Sequence, residues 1–132
     1  SVRKSDRLPA VEIARKLAEL GFALYATRGT ASALFEAGLE VIPVNKVTEG
    51  RPHIVDMIKN NEISLIINTV GDKRSAVQDS YSIRHAVLQA RVTYFTTLAG
   101  ARAACIGMAN IRELKVYDLQ KLHKLIESEL PH

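Results

Sequence analysis

The 132 residues contain no tryptophan and one cysteine, Cys105. A single thiol excludes an internal disulfide and a zinc site built from several cysteines. Long apolar runs are also absent. None approaches the ~18 residues of a membrane-spanning helix, and the mean hydropathy is +0.01. There is no Walker A glycine–lysine loop and no GxGxxG turn, which disfavours the usual triphosphate and dinucleotide folds. Neither GxSxG nor HExxH occurs. No internal repeat, low-complexity stretch or second-domain boundary is evident. Charge is not concentrated in one sign: 18 Lys and Arg stand against 14 Asp and Glu, a net +4. That mild basic bias suits a small anion, a polyanion or an acidic protein surface rather than marking a nucleic-acid tail. The sequence given opens Ser1-Val2-Arg3, without an initiator methionine.

What is present is ordinary globular material. Hydrophobic residues make up 47% and charged residues 24%, and the length fits one domain able to bury roughly two-thirds of its unfolded surface. Ser5 or Asp6 is the expected N-cap of a first helix, with Pro9 in its first turn. Ala10, Ile13, Ala14, Leu17 and Ala18 give that helix an apolar stripe, and Gly21 closes it. Phe22–Ala26 reads as a buried strand and Thr27-Arg28-Gly29-Thr30 as a turn. A helix bearing Ala31, Leu34 and Phe35 then runs to Gly38. Leu39–Val44 reads as a strand interrupted at Pro43, Asn45–Arg51 as a loop, and Pro52–Asn60 as a short helix. Ile63–Asn68 is the clearest buried strand. Gly71-Asp72 signals a turn, Arg74–Ala90 a helix, and Val92–Phe95 a strand. Thr96 or Thr97 caps a helix to about Met108. A final amphipathic helix, Asp118–Glu129, carries Leu119, Leu122, Leu125 and Ile126. This alternation predicts an α/β fold with a parallel sheet covered on both faces, in which ligands gather at the carboxyl ends of the strands.

That rule selects the candidates. Thr27-Arg28-Gly29-Thr30 offers hydroxyls and backbone N–H groups at a helix start, fit either for cradling phosphate or simply for capping the helix. Lys46, after the third segment, is a point charge that could close over a phosphate or stay solvated. His53 reads as a helix-terminal hydrogen-bonder more readily than as a metal ligand. Asn68 suits a base edge or a structural tie. Thr96 follows the last strand. Cys105, on the apolar run Ala101–Met108, reads as a small core residue. The acids Asp56, Asp72, Asp79 and Asp118 show no catalytic pairing. The sum is a parallel-sheet domain with one anion site and no catalytic machinery.

The strings Ala26-Thr27-Arg28-Gly29-Thr30-Ala31, Val44-Asn45-Lys46-Val47 and Glu49-Gly50-Arg51-Pro52-His53-Ile54 resemble the C-terminal regulatory domain of the carbamoyl phosphate synthetase large subunit. Ile66-Ile67-Asn68-Thr69, Ser82-Ile83-Arg84 and Thr96-Thr97-Leu98 continue the match in order. The resemblance implies the methylglyoxal-synthase-like fold, a three-layer α/β/α sandwich around a five-stranded parallel sheet. Residues 1–132 would form one regulatory domain, excised from the C-terminal end of a larger chain and cut within its first strand.

It further implies a domain with no catalysis of its own, which binds UMP or IMP and modulates ATP-dependent, glutamine-hydrolysing carbamoyl phosphate synthesis for pyrimidine and arginine biosynthesis. Matching positions imply a phosphate subsite of Arg7, Thr27, Thr30 and Lys46. A base and ribose subsite of Ser1, Asn68, Asp79, Ser82 and Ile83 follows, with Thr96 on an ornithine side. The family has lysine where Arg7 stands and a second threonine where Val70 stands. Implied partners are the synthetase domains of the same parent chain, the glutaminase small subunit indirectly, and a possible second copy; no nucleic acid, membrane or metal is implied. The domain itself would hold no cofactor, while the parent would use ATP with Mg or Mn and K, in the cytoplasm. The alternative is a methylglyoxal synthase-type lyase acting on dihydroxyacetone phosphate, for which Asp72 is the nearest available carboxylate base.

Overall fold

The structure is a computed structural model that describes residues 1–71 and 74–111, with the side chains of residues 74–76 and 79 outside the description. Its elements alternate: α1 (Arg7–Glu19), β1 (Tyr25–Thr27), α2 (Arg28–Glu36), β2 (Ile42–Val44), α3 (Ile54–Lys59), β3 (Leu65–Ile67), α4 (Arg74–Ala90) and β4 (Thr93–Phe95). Residues 98–111 are helical and are here called α5. The final helix expected over Asp118–Glu129 and the turn at Asp72 lie outside the described residues.

Both strand pairings are parallel, β1 with β2 and β3 with β4. The architecture is therefore α/β, with two short two-stranded sheets among the described residues. Each strand is shorter than its apolar run. Ladder pairing sets its length, and the flanking apolar residues pack without pairing. The proline of the third segment interrupts nothing. Ile42 N donates to Leu24 O at 2.9 Å, so the next position, Pro43, faces its missing donor away from β1 on an outer edge.

The helix ends follow from local chemistry. After α1, Gly21 takes φ +96°, and Gly21 N and Phe22 N close onto Ala18 O and Leu17 O. Those bonds form a Schellman motif that needs the left-handed conformation glycine adopts freely. The expected N-cap does not operate. Asp6 precedes α1 but makes no side-chain cap bond, because its carboxylate receives Arg3 Nε at 2.7 Å. α3 is shorter than the helix expected from Pro52. It starts after His53, whose Nδ1 accepts from Asp56 N while Asp56 Oδ2 accepts from His53 N, a reciprocal capping box. Thr97 caps α5 through Oγ1, which accepts from Gly100 N at 3.1 Å.

Three apolar clusters surround the strands. Ile66 and Tyr94 face Val55, Ile58, Ile83 and Val87 of α3 and α4. Ile67 and Phe95 face the opposite way, onto Ile13, Leu17, Ala101 and Cys105 of α1 and α5. Helices thus cover both faces of β3–β4, as a parallel pair requires. Ala26 packs with Ala14, Ala31, Leu34 and Val41. Phe35, expected on the buried stripe of α2, is 52% exposed, because the face of that helix that turns inward is the one carrying Thr30, Ala31 and Leu34. Cys105 is buried, and burial pushes its thiol pKa up, which makes it a core residue and a poor nucleophile.

The N-terminal residues lie between the two sheets. Ser1 N donates to Ile67 O at 3.0 Å and Ser1 O accepts from Thr69 N at 3.1 Å, the two bonds of a parallel neighbour on β3. Val2 N donates to Thr30 Oγ1 at 3.1 Å on the β1 side. Beneath them runs a groove of about 400 Å³, bordered by Leu24 and Ala26 on one edge and by Leu65 and Ile67 on the other.

Candidate functional site

Parallel strands with the same direction deliver their carboxyl ends to one rim, and four segments meet there. β1 ends in Thr27, which passes directly into α2, so the expected turn at 27–30 is instead a strand-to-helix junction. Thr27 and Thr30 are both buried. Thr27 occupies the N-cap position of α2, yet its side chain makes no capping bond. The first N–H groups of this nine-residue helix therefore have no side-chain cap, and the positive end of the helix dipole faces the rim.

Arg7 reaches the same place from α1. A Cβ built on Gly29 would stand 2.8 Å from Arg7 Cζ, so the guanidinium occupies the space that only glycine leaves open. Arg7 Nε is buried and has no hydrogen-bond partner. Arg102 Nε shares that condition, but the Arg102 guanidinium lies 3.8 Å from Glu12 Oε2. No described carboxylate forms an ion pair with Arg7. A buried, unpartnered guanidinium nitrogen is costly and marks a place where an acceptor is wanted.

After β2, Asn45 bridges to His53 in parallel fashion, and Ile54 N donates to Asn45 O at 3.1 Å. This closes the segment 45–53 into a loop carrying exposed Lys46. The loop is held by Lys46 N donating to Glu49 Oε1 at 2.8 Å and by Asn45 Nδ2 donating to Pro52 O at 3.1 Å. Arg28 spans the junction, its NH2 donating to Asn45 Oδ1 at 3.4 Å. Asp56 at the loop's far end accepts from Arg51. That bond and the His53 backbone N–H hold its carboxyl down to about 2.

After β3 come Asn68 and Thr69, both buried. Asn68 Nδ2 donates to Tyr94 Oη at 3.2 Å, and Thr69 Oγ1 accepts from Arg3 N at 2.9 Å. A small cavity of about 40 Å³ sits among Ser1, Thr27, Lys46, Asn68, Thr69 and Ile83. Among the described residues no carboxylate lines it; Val47, Ile54 and Val70 complete the described lining. Thr30 borders the adjoining groove, which also meets Ser1, Thr27 and Asn68.

The residues singled out from sequence are thus unevenly placed. Ser1, Thr27, Lys46, Asn68 and Ile83 share the cavity; Thr30 and Arg7 stand beside it at the start of α2. Ser82 is exposed on α4, with its hydroxyl on Gln78 O at 3.5 Å, and does not line the cavity. Thr96 is exposed after β4 and does not line it either. The side chain of Asp79, and all of Asp72, lie outside the described residues. Thr69 is the buried lining hydroxyl that pattern reading left without a role. Its sequence signals are its place two residues after β3 and its membership of the string Ile66-Ile67-Asn68-Thr69. His53 is the N-cap of α3, in keeping with the helix-terminal role expected of it. Among the described residues no helix is long and apolar enough to cross a membrane.

An MGS-like domain family model matches residues 9–96. The chain is 57% identical over 123 residues to the carbamoyl phosphate synthase large chain of Ralstonia nicotianae, a match covering 93% of this chain and 11% of that protein. It is 50% identical over 128 residues to the protein of the same name from Xanthomonas axonopodis pv. citri, covering 97% and 12%. The Neisseria meningitidis serogroup A protein of that name is 46% identical over 123 residues, covering 93% and 12%. The chain therefore spans little more than a tenth of the length of these relatives.

Proposed function

The chain belongs to the MGS-like domain family, and from that premise we propose that it is an effector-binding regulatory domain of a carbamoyl phosphate synthetase large chain. Its ligand is a nucleoside monophosphate of the UMP or IMP type. The phosphate lies at the start of α2, held by Arg7, Thr27, Thr30 and Lys46. The sugar and base lie toward Ser1, Asn68 and Ile83, with Asp79 and Ser82 on the bordering helix and Thr96 toward an ornithine site. The observation that carries this reading is the conjunction at Gly29: an uncapped helix start, two buried hydroxyls and a buried guanidinium nitrogen without an acceptor. Each supplies a hydrogen-bond donor to the same point, and among the described residues no carboxylate lines the adjoining cavity to repel an anion.

In this reading the domain performs no chemistry itself. The parent chain makes carbamoyl phosphate with ATP, Mg or Mn and K in the cytoplasm, supplied by a glutaminase subunit, for pyrimidine and arginine synthesis. The proposal extends to architecture. A strand from the parent chain before Ser1 fills the groove between β1 and β3 and joins the two pairs into one five-stranded parallel sheet. The ladder bonds of Ser1 on β3 and the apolar edges of the groove support this placement.

Calorimetry with UMP and IMP tests the ligand. We expect binding in the micromolar to millimolar range, on the order of −4 to −8 kcal/mol. Lys46→Ala should weaken it by about 1.5–3 kcal/mol, the scale of a hydrogen bond to a charged group. Heat from neither nucleotide would overturn the reading.

A further inference from the structure

We propose that Thr69 is a positioning residue for this anion site: it fixes the N-terminal segment that sets the Thr30 hydroxyl and the Arg7 guanidinium. The proposal rests on the effector-binding reading above. Thr69 is 4% exposed. Its Oγ1 accepts from Arg3 N at 2.9 Å, and Arg3 Nε in turn donates to Asp6 Oδ2 at 2.7 Å. Thr69 N adds a bond to Ser1 O at 3.1 Å. Residues 1 and 3 are thus tied to one threonine at the end of β3, and Asp6 is tied to it through Arg3.

Two consequences reach the site from that tie. Val2, between the fixed residues 1 and 3, donates its N–H to Thr30 Oγ1 at 3.1 Å. That bond takes an acceptor lone pair and leaves the Thr30 hydroxyl proton free to donate. Arg7 follows Asp6 directly as the first residue of α1. With Asp6 committed to Arg3, no side-chain cap competes at this end, and the position of Arg7 against Gly29 follows from where Arg3 holds Asp6. Thr69 therefore acts on the anion through two residues it does not touch.

The test uses the full-length parent chain, with UMP and inorganic phosphate as probes. Thr69→Val keeps the shape and removes the side-chain bond to Arg3 N. We expect it to weaken UMP roughly five- to tenfold, the effect of one neutral hydrogen bond. Thr69→Ser should restore affinity to within about twofold, which a packing role for the lost methyl would not allow. In an Arg7→Met background, Thr69→Val should cost less than its separate effect, because part of that effect travels through Arg7. Should Thr69→Val fail to fold, Asp6→Ala cuts the onward bond from Arg3 to Asp6 and carries the same expectation of weakened UMP binding. Wild-type UMP affinity in Thr69→Val, beside a weakened Lys46→Ala, would overturn the proposal and leave the effector reading intact. Full additivity with Arg7→Met would also overturn it. Unchanged affinity in Lys46→Ala and Arg7→Met together would instead remove the effector reading.

Discussion

The Arg7 guanidinium occupies the space beside Gly29 where any other residue would place its Cβ, 2.8 Å from Arg7 Cζ. Gly29 sits in the first turn of α2 with no left-handed backbone requirement. Its lack of a side chain thus serves the approach of an arginine. Gly29→Ala should separate stability from binding. Alanine favours a helix over glycine by up to ~1 kcal/mol, and the Arg7 head group is flexible enough to give way, so the melting temperature should hold or rise. UMP affinity should fall, because the displaced guanidinium leaves the helix start. Thermal denaturation beside calorimetry reads both; wild-type affinity would place Arg7 outside the site.

Asp56 ties the Lys46 loop to α3 and should make stability depend on acid. Its carboxyl is held at about 2 by the Arg51 bond and the His53 N–H, below its ordinary value near 3.9. A depressed folded-state value gives stabilisation that is complete above the unfolded value and lost as pH falls through the folded one. Urea midpoints should therefore decline from about pH 4 toward pH 2. Asp56→Asn should lower the midpoint at pH 7 and flatten that decline. Parallel acid limbs in the two proteins would assign the effect to other carboxylates.

Ile58 has no solvent exposure and packs with Val55, Ile66, Ile83 and Val87. Truncation leaves a cavity beneath β3, the strand that carries Asn68 and Thr69. Ile58→Ala should cost about 2–5 kcal/mol in urea denaturation. A loss under about 1 kcal/mol would mean that the cluster collapses around the gap.

Cys105 is 2% exposed and its thiol is raised by burial. A disulfide-exchange reagent such as Ellman's should titrate no thiol in the native protein at pH 7 and one thiol in denaturant. Rapid native reaction would contradict the packing of α5 onto α1.

Much of the frame was legible from residue pattern. Arg74–Ala90 reads as a helix after the turn signal at Gly71-Asp72, and it is one. Gly21 and Gly38 mark helix ends and both take positive φ, since only local backbone geometry is at stake. The strands are shorter than their apolar runs, because an apolar run reports burial while a ladder also needs a paired neighbour. The Asp6 cap failed for a related reason. A short-range preference lost to Arg3, whose position depends on Thr69, 66 residues away.

The sequence by itself determined the α/β alternation, the burial of Ala26, Ile66 and Cys105, and the choice of Thr27, Thr30, Lys46 and Asn68 as rim residues. Each of these follows from local periodicity or from the rule that parallel strands present their carboxyl ends together. Only the tertiary structure decided that Arg7 lies on Gly29, that Thr27 leaves the start of α2 uncapped, that Thr69 holds the N-terminal segment, and that Ser82 and Thr96 stand outside the cavity. Those outcomes depend on contacts between residues distant in the chain, and no local pattern encodes which distant donor reaches an acceptor first.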